Sequence, residues 1–125
     1  MVSDGDGDDT IYGREDADLV LGGGGQDTIE GNAGDDMLVG DYGTVTRRSG
    51  VVTDIDSTDT AQGDVDDISG NEDNDLIIGG AAGDTLSGDG GHDVVLGDSG
   101  QVNLGAVDHD ISSLDAVNGG DDTIT

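Results

Sequence analysis

The chain has 125 residues, enough for one domain, but it carries 30 acidic and three basic residues, a net charge of −27, 25 Gly and no Phe, Trp, Pro or Cys. This charge repels nucleic acids and anionic membranes and attracts cations, and the composition excludes the large apolar core of an ordinary globular enzyme. Composition alone predicts disorder, and no apolar stretch is long enough to enter a membrane.

A period of nine residues argues against disorder. Along the chain, large apolar residues recur in two runs and once more at the end: Ile11, Val20, Ile29, Leu38, Ile68, Ile77, Leu86, Val95 and Ile124. An aspartate stands two places before each of them: Asp9, Asp18, Asp27, Asp36, Asp66, Asp75, Asp84, Asp93 and Asp122. In a nine-place unit with Asp sixth, the first, second and fourth places are mostly Gly, Asn or Asp, which tolerate left-handed backbone conformations. Each unit is predicted to be a tight turn followed by a three-residue strand.

Four stretches, GGGGQDTIE, GNAGDDMLV, GGAAGDTLS and GDGGHDVVL, resemble the Gly-Gly-x-Gly-x-Asp-x-U-x repeat of the RTX (repeats-in-toxin) family. The resemblance implies an all-β fold, a parallel β-roll or right-handed β-solenoid, in which two units form an 18-residue coil and calcium ions lie in the turns. Calcium prefers carboxylate and carbonyl oxygens, which such turns contain.

The resemblance also implies which residues bind calcium. The nine sixth-place aspartates would provide side-chain ligands, and turn carbonyls would complete the sites near Gly5, Gly7, Gly22, Gly23, Gly25, Gly31, Gly34, Gly79, Gly80, Gly88 and Gly91. Further candidate ligands are Asp4, Asp6, Asp41, Asp89 and Asp98. Four pairs of sixth-place aspartates lie 18 residues apart, so we expect about four to eight calcium ions.

Alternate units differ in the residues that flank the inward apolar place. In one set these neighbours are mostly polar, as in Thr28-Ile29-Glu30, which predicts a sheet with a solvated outer face. In the other set they are apolar: Leu19, Leu21, Met37, Val39, Leu76, Ile78, Val94 and Leu96. A strand that is apolar on both faces is normally covered on both. Something is therefore expected to cover this second set.

Two segments interrupt the repeat and organise the chain into blocks. The predicted parts are a repeat run at 4–39, an excursion at 40–60, a second run at 61–96, a second excursion at 97–116 and the start of a third block at 117–125. Both excursions begin Gly-Asp-x-Gly-x-Val, with Val45 and Val102 in the place of the liganding aspartate. We interpret each excursion as a coil with an added loop. Its apolar residues either cover the apolar sheet or lie in solvent: Val51, Val52, Ile55, Ala106, Val107 and Ile111.

The blocks repeat every 57 or 56 residues, as Ile11, Ile68 and Ile124 show, so we interpret the chain as a segment of a longer tandem array. The resemblance implies a bacterial, extracellular or cell-surface module that folds on binding calcium outside the cell. Its role would be a stalk or scaffold of a large secreted or surface protein such as an adhesin. The alternative is a calcium-triggered folding module of a toxin or enzyme exported by type I secretion.

Two less favoured functions remain open, and catalysis is not expected. Coil ends or the apolar sheet face could support self-association into a filament or surface layer. A column of Thr10, Thr28, Thr85 and Thr123 is similar to ice-binding solenoids, although other residues interrupt it. The GDSG at 97–100 resembles a serine-protease motif, but the equivalent stretch one block earlier is GDYG, so we interpret it as part of the repeat.

Overall fold

The computed structural model describes residues 2–3, 6–57, 63–105, 110–113 and 120–125. Within these ranges the chain forms fourteen strands and no helix, which confirms the all-β prediction. The strands are β1 (Val2–Ser3), β2 (Thr10–Glu15), β3 (Leu19–Leu21), β4 (Thr28–Ala33), β5 (Met37–Val39), β6 (Gly43–Arg48), β7 (Val51–Ser57), β8 (Asp67–Glu72), β9 (Leu76–Gly80), β10 (Thr85–Gly90), β11 (Val94–Asp98), β12 (Gly100–Asn103), β13 (Asp110–Ser113) and β14 (Thr123–Ile124).

Repeat units alternate between two parallel sheets. The first parallel sheet has the order β1-β3-β5-β9-β11 and the second has the order β14-β10-β8-β4-β2. Strands within one run pair with a step of 18 residues, as in Ile11 with Ile29 and Val20 with Leu38. Strands of the second sheet are often six residues long rather than three, because pairing continues past the apolar place into the next turn.

An inner core lies between the two parallel sheets. It contains the predicted inward residues Ile11, Val20, Ile29, Leu38, Ile68, Ile77 and Leu86, all buried, with the partly buried Val95 packed against them. Ile124 is the exception among the nine, since it is 53% exposed. Its strand, β14, pairs only with β10 in the described part of the sheet, so no further strand covers this residue there.

The first excursion does not contribute a coil, which corrects the interpretation above. Ile29 pairs directly with Ile68 and Leu38 with Ile77, a step of 39 residues, so the strands before and after the excursion are neighbours. The connection from β5 to β8 spans residues 40–66, where the ordinary connection from β3 to β4 spans only 22–27. The chain therefore leaves the two parallel sheets after β5 and rejoins the second parallel sheet at β8, directly beside β4.

Both excursions enter a third sheet, antiparallel, with the order β13-β12-β7-β6. Ile55 pairs with Val45 on one side and with Val102 on the other, and Val102 pairs with Ile111. Val45 and Val102 thus lie in strands of this sheet and not in a repeat turn. Pairing of β7 with β12 joins the two excursions into one sheet.

The third sheet covers the apolar face of the first parallel sheet, which resolves the question left open by the sequence. A second core between them buries Leu19, Leu21, Val39, Ile55, Leu76, Ile78 and Val102, with Met37, Val45, Val52, Leu96 and Leu104 partly buried around it. Val51 and Val94 are exposed and do not take part. Ala106 and Val107 lie outside the described residues, and only the backbone of Ile111 is described.

This second core predicts different costs for two apolar truncations in β7. Ile55→Ala removes a fully buried side chain and should lower the free energy of unfolding by about 2 to 5 kcal/mol. Val51→Ala, at a site 66% exposed, should change it by no more than about 0.5 kcal/mol. Urea unfolding of both variants in calcium would measure the difference. Equal effects would mean that the third sheet does not stabilise the fold.

Candidate metal sites

The turns between the parallel sheets follow one backbone pattern. In the six turns of the repeat runs whose second and fourth places are both described, these two places have positive φ: Arg14 and Asp16, Gly23 and Gly25, Asn32 and Gly34, Asn71 and Asp73, Gly80 and Ala82, and Asp89 and Gly91. Gly, Asn and Asp dominate because this conformation is strained for most other residues. The turn prediction is therefore confirmed at these two places.

The first place is glycine for a different reason, which corrects the prediction. None of the first-place glycines has a positive φ. At Gly79, Oδ2 of Asp84 and the carbonyl oxygen of Gly97 occupy the space that a Cβ would need. Gly22, Gly31 and Gly40 are crowded in the same way by a sixth-place carboxylate and a carbonyl of the neighbouring coil. Only glycine leaves room for these oxygen atoms to approach the backbone.

The sixth-place aspartates stack into two columns. In each, Oδ1 accepts a hydrogen bond from the backbone N–H of the sixth-place aspartate in the preceding coil, over N···O distances of 2.7 to 3.0 Å. One column contains Asp9, Asp27, Asp66, Asp84 and Asp122, and the other contains Asp18, Asp36, Asp75 and Asp93. The pairs Asp27 with Asp66 and Asp36 with Asp75 cross the first excursion, so the sequence spacing of 18 could not reveal them.

The second carboxylate oxygen of these aspartates fits a bound cation. Oδ2 of Asp36, Asp66, Asp75 and Asp84 is buried and accepts no hydrogen bond from the described residues. A buried ionised oxygen without a partner is costly, and a cation is the natural compensation. Within the described ranges no three His, Cys, Asp or Glu side chains converge on one point, so a calcium ion here would also need the nearby turn carbonyls.

Burial and mutual repulsion perturb these carboxyl groups. Burial is the main cause that raises the pKa of Asp66 to about 8, and the pKa values of Asp75 and Asp84 to about 6; repulsion between neighbouring carboxylates adds to it. The pKa of Asp36 is raised for the same reasons. The hydrogen bond from the neighbouring backbone N–H opposes each rise but does not cancel it.

The other candidate ligands are placed less uniformly. Asp6 accepts a hydrogen bond from the Tyr42 hydroxyl, Asp89 is exposed and Asp98 is half-buried. Asp41 is fully buried. Asp4 and Gly5 lie outside the described residues.

Sequence reasoning missed a second ladder, formed by the fifth places of the turns. Asp8 accepts a hydrogen bond from the N–H of Gln26, Asp35 from that of Asn74, and Asn74 from that of His92. The sequence contained a signal for this ladder, namely an Asp or Asn at the fifth place of successive coils, as at Asp35 and Asn74. The fifth places therefore join neighbouring coils at the solvent-exposed rim of the turns.

The comparison with protein families agrees with this geometry. The family model of the RTX calcium-binding nonapeptide repeat (four copies) matches residues 2–29, 15–44 and 69–101, more than half of the chain. The chain therefore belongs to the RTX calcium-binding nonapeptide repeat family, a calcium-binding structural module that is typical of secreted bacterial proteins. Calcium is accordingly its expected partner.

Other comparisons add no closer identification. Neither a curated protein nor a solved structure matches the chain. The described residues include no helix that could cross a membrane.

Two glycines of one turn provide a test of the carboxylate packing. Gly88→Ala places a Cβ against the carboxylate of Asp93, whereas Gly90→Ala adds a methyl group at a third place, where Ala33 and Ala81 already stand in other units. We expect Gly88→Ala to lower the free energy of unfolding in calcium by about 1 to 3 kcal/mol. Gly90→Ala should remain within about 0.5 kcal/mol of the parent chain. Equal effects in urea unfolding would refute the stated reason for first-place glycine.

The raised pKa values predict how pH affects the calcium-free chain. An Asp whose pKa is 3.8 when unfolded and higher when folded binds more protons in the folded state, so it stabilises the fold at low pH and loses this contribution as pH rises through its folded pKa. In EDTA, the fold should therefore lose stability progressively from about pH 4 to about pH 8, and the β signal in circular dichroism should fall within that range.

Asp66→Asn is the control for this titration, because it removes the group whose pKa is raised to about 8. The variant should lose less β signal at the upper end of the range. A signal that stays constant or increases with pH in the parent chain would contradict the pKa shifts.

Proposed function

We propose that the chain is a calcium-dependent parallel β-roll, a β-solenoid of 18-residue coils that folds when calcium neutralises its columns of aspartates. One observation carries the proposal: buried carboxylates stack in register, each with one oxygen held by the neighbouring coil, and in several the other oxygen has no hydrogen-bond partner among the described residues. The chain's three Arg residues are all exposed, so no Arg side chain is buried against these charges.

The nine sixth-place aspartates are the proposed side-chain ligands, with carbonyls of the glycine-rich turns completing each site. Seven hydrogen-bonded pairs of these aspartates join successive coils, against the four pairs visible from a spacing of 18. We infer one calcium ion for each stacked pair. Binding free energy of the metal then becomes folding free energy, because the unfolded chain offers no preformed site.

We assign this module the role of a stalk or scaffold in a large secreted or surface protein. The proposed block organisation supports it: runs 4–39 and 61–96, excursions 40–60 and 97–116, and a third block from 117. One block adds two strands to each parallel sheet, since Ile11, Ile29 and Ile68 follow one another in register. At about 4.8 Å per strand, a tandem array would lengthen by about 10 Å per block.

The second candidate is a folding module of an exported toxin or enzyme. Calcium is scarce inside cells, so a chain that stays unfolded there would suit passage through a secretion channel and fold outside. The same carboxylate columns support this function, and flanking sequence distinguishes the two: many further blocks favour the scaffold, and a catalytic domain favours the export module. Ice binding is less consistent with the structure, because Asp67 interrupts the Thr column between Thr28 and Thr85.

Two aspartates of one turn test the calcium function. Asp75→Asn keeps an acceptor for the N–H of Asp36 but removes a buried charge that belongs to two stacked pairs. We expect this variant to bind about two fewer calcium ions and to need more calcium to fold, while the calcium-free chain becomes more stable. Bound calcium can be counted by elemental analysis after gel filtration in calcium-buffered solution.

Asp73→Asn is the matched control, since Asp73 is exposed, lies in the same turn and has a φ of 76°, which Asn tolerates. It should match the parent chain in ion count and calcium midpoint. If both variants bind as many ions as the parent chain, the sixth-place aspartates are not the ligands.

A further inference from the structure

Asp41 is a buried carboxylate at the point where the first excursion leaves the stack of coils. It follows Gly40, which occupies the first place of a turn against Oδ2 of Asp66 and the carbonyl oxygen of Gly79. Asp41 itself takes a second place, but without the positive φ found at the second place of the described turns within the repeat runs. The chain changes direction here, and β6 begins two residues later.

The surroundings of Asp41 copy those of the sixth-place aspartates. One oxygen, Oδ2, accepts a hydrogen bond of 2.6 Å from the N–H of Ala81 in the neighbouring coil. The other, Oδ1, is buried and accepts no hydrogen bond from the described residues, although the nearby N–H of Asp64 lowers the pKa. Gly63 and Gly80 press so closely on the carboxylate that neither has room for a Cβ. The nonapeptide pattern does not require an aspartate at this place.

Charge makes this position unfavourable without a cation. Asp41 has no solvent exposure, and burial raises its pKa to about 7, with repulsion from Asp84 and Asp27 adding to the rise. Repulsion from Asp41 in turn raises the pKa of Asp66. A buried carboxylate that faces other carboxylates is destabilising unless a proton or a cation compensates it.

We propose that Asp41 is an additional calcium ligand, which together with Asp66 and the turn carbonyls forms a cation site at the base of the excursion. This inference rests on the proposed calcium function and adds a ligand that the repeat does not encode. Oδ1 of Asp41 and Oδ2 of Asp66 are its two buried side-chain oxygens that accept no hydrogen bond from the described residues, and the carbonyl oxygen of Gly79 lies beside Gly40, the residue before Asp41.

The site links calcium to closure of the third sheet. Asp41 lies at the outgoing end of the excursion, Gly63 and Asp64 at the returning end, and Gly80 and Ala81 in the next coil. A cation held there fixes both ends of the excursion against the stack, and so directs β6 and β7 onto the apolar sheet. Asp98 follows Gly97 in the same way one block later, and its charge raises the pKa of Asp84.

The test compares Asp41→Asn with Asp73→Asn. Both replace one carboxylate oxygen by an amide group, but Asp73 is exposed and is not a proposed ligand. Calcium bound per chain is counted at saturation, and hydrogen exchange by mass spectrometry follows residues 43–57 during a calcium titration. Asp41→Asn should bind about one fewer ion than Asp73→Asn, and its β6 and β7 amides should become protected only at about tenfold higher calcium.

Each outcome has one meaning. If Asp41→Asn matches Asp73→Asn in ion count and in protection of 43–57, Asp41 is a hydrogen-bond acceptor only and the inference is overturned. If the parent chain itself binds no calcium, the proposed function fails instead. Should Asp41→Asn not fold in calcium, the comparison is repeated in sucrose, which favours the folded state: loss of one ion supports the inference, and an unchanged count overturns it.

Discussion

Stacking of like charges is the constraint on which the rest of the structure depends. Each coil places a carboxylate directly over the next, because Oδ1 must reach the neighbouring backbone N–H. In several coils this leaves Oδ2 buried, with no hydrogen bond from the part of the chain that the structure describes. A fully buried apolar side chain contributes about 1.5 to 3 kcal/mol, whereas an uncompensated buried charge costs several kcal/mol. Since the inner core takes one apolar residue from each unit, the free energy of its burial and the cost of the buried charges are of similar size, and under the proposed function a bound cation decides the balance.

The excursions supply the second contribution to stability. They give the first parallel sheet an apolar cover on its outer face, so a repeat with only one inward residue per unit acquires a second core. The entropic cost of this longer connection is small. The β3–β4 connection covers residues 22–27 and the β5–β8 connection covers residues 40–66. Loop-closure entropy adds only about 0.6 kcal/mol for each doubling of a connection's length. Pairing between β7 and β12 also joins one block to the next, so the two blocks share a sheet as well as a stack.

Much of the fold could be predicted from the register of Asp and apolar residues. The nine-residue period indicated the strands, the two-sided apolar sheet and the inward residues from Ile11 to Leu86, because burial enforces that spacing. It could not show that 40–66 adds no coil, since Gly40-Asp41 begins like an ordinary unit and only strand pairing places Ile29 beside Ile68. The reason for first-place glycine and the burial of Asp41 also escaped prediction, because both arise from contacts between coils.

The most direct measurement is far-UV circular dichroism of the chain at about pH 9, above the raised pKa values of the buried aspartates, first in EDTA and then during a calcium titration, with magnesium as the control. The account predicts a coil-like spectrum in EDTA and a cooperative change to a β spectrum with calcium, and little change with magnesium, which demands a stricter octahedral geometry. A β spectrum already present in EDTA, unchanged by calcium, would contradict it, because the stacked carboxylates would then be tolerated without a metal ion.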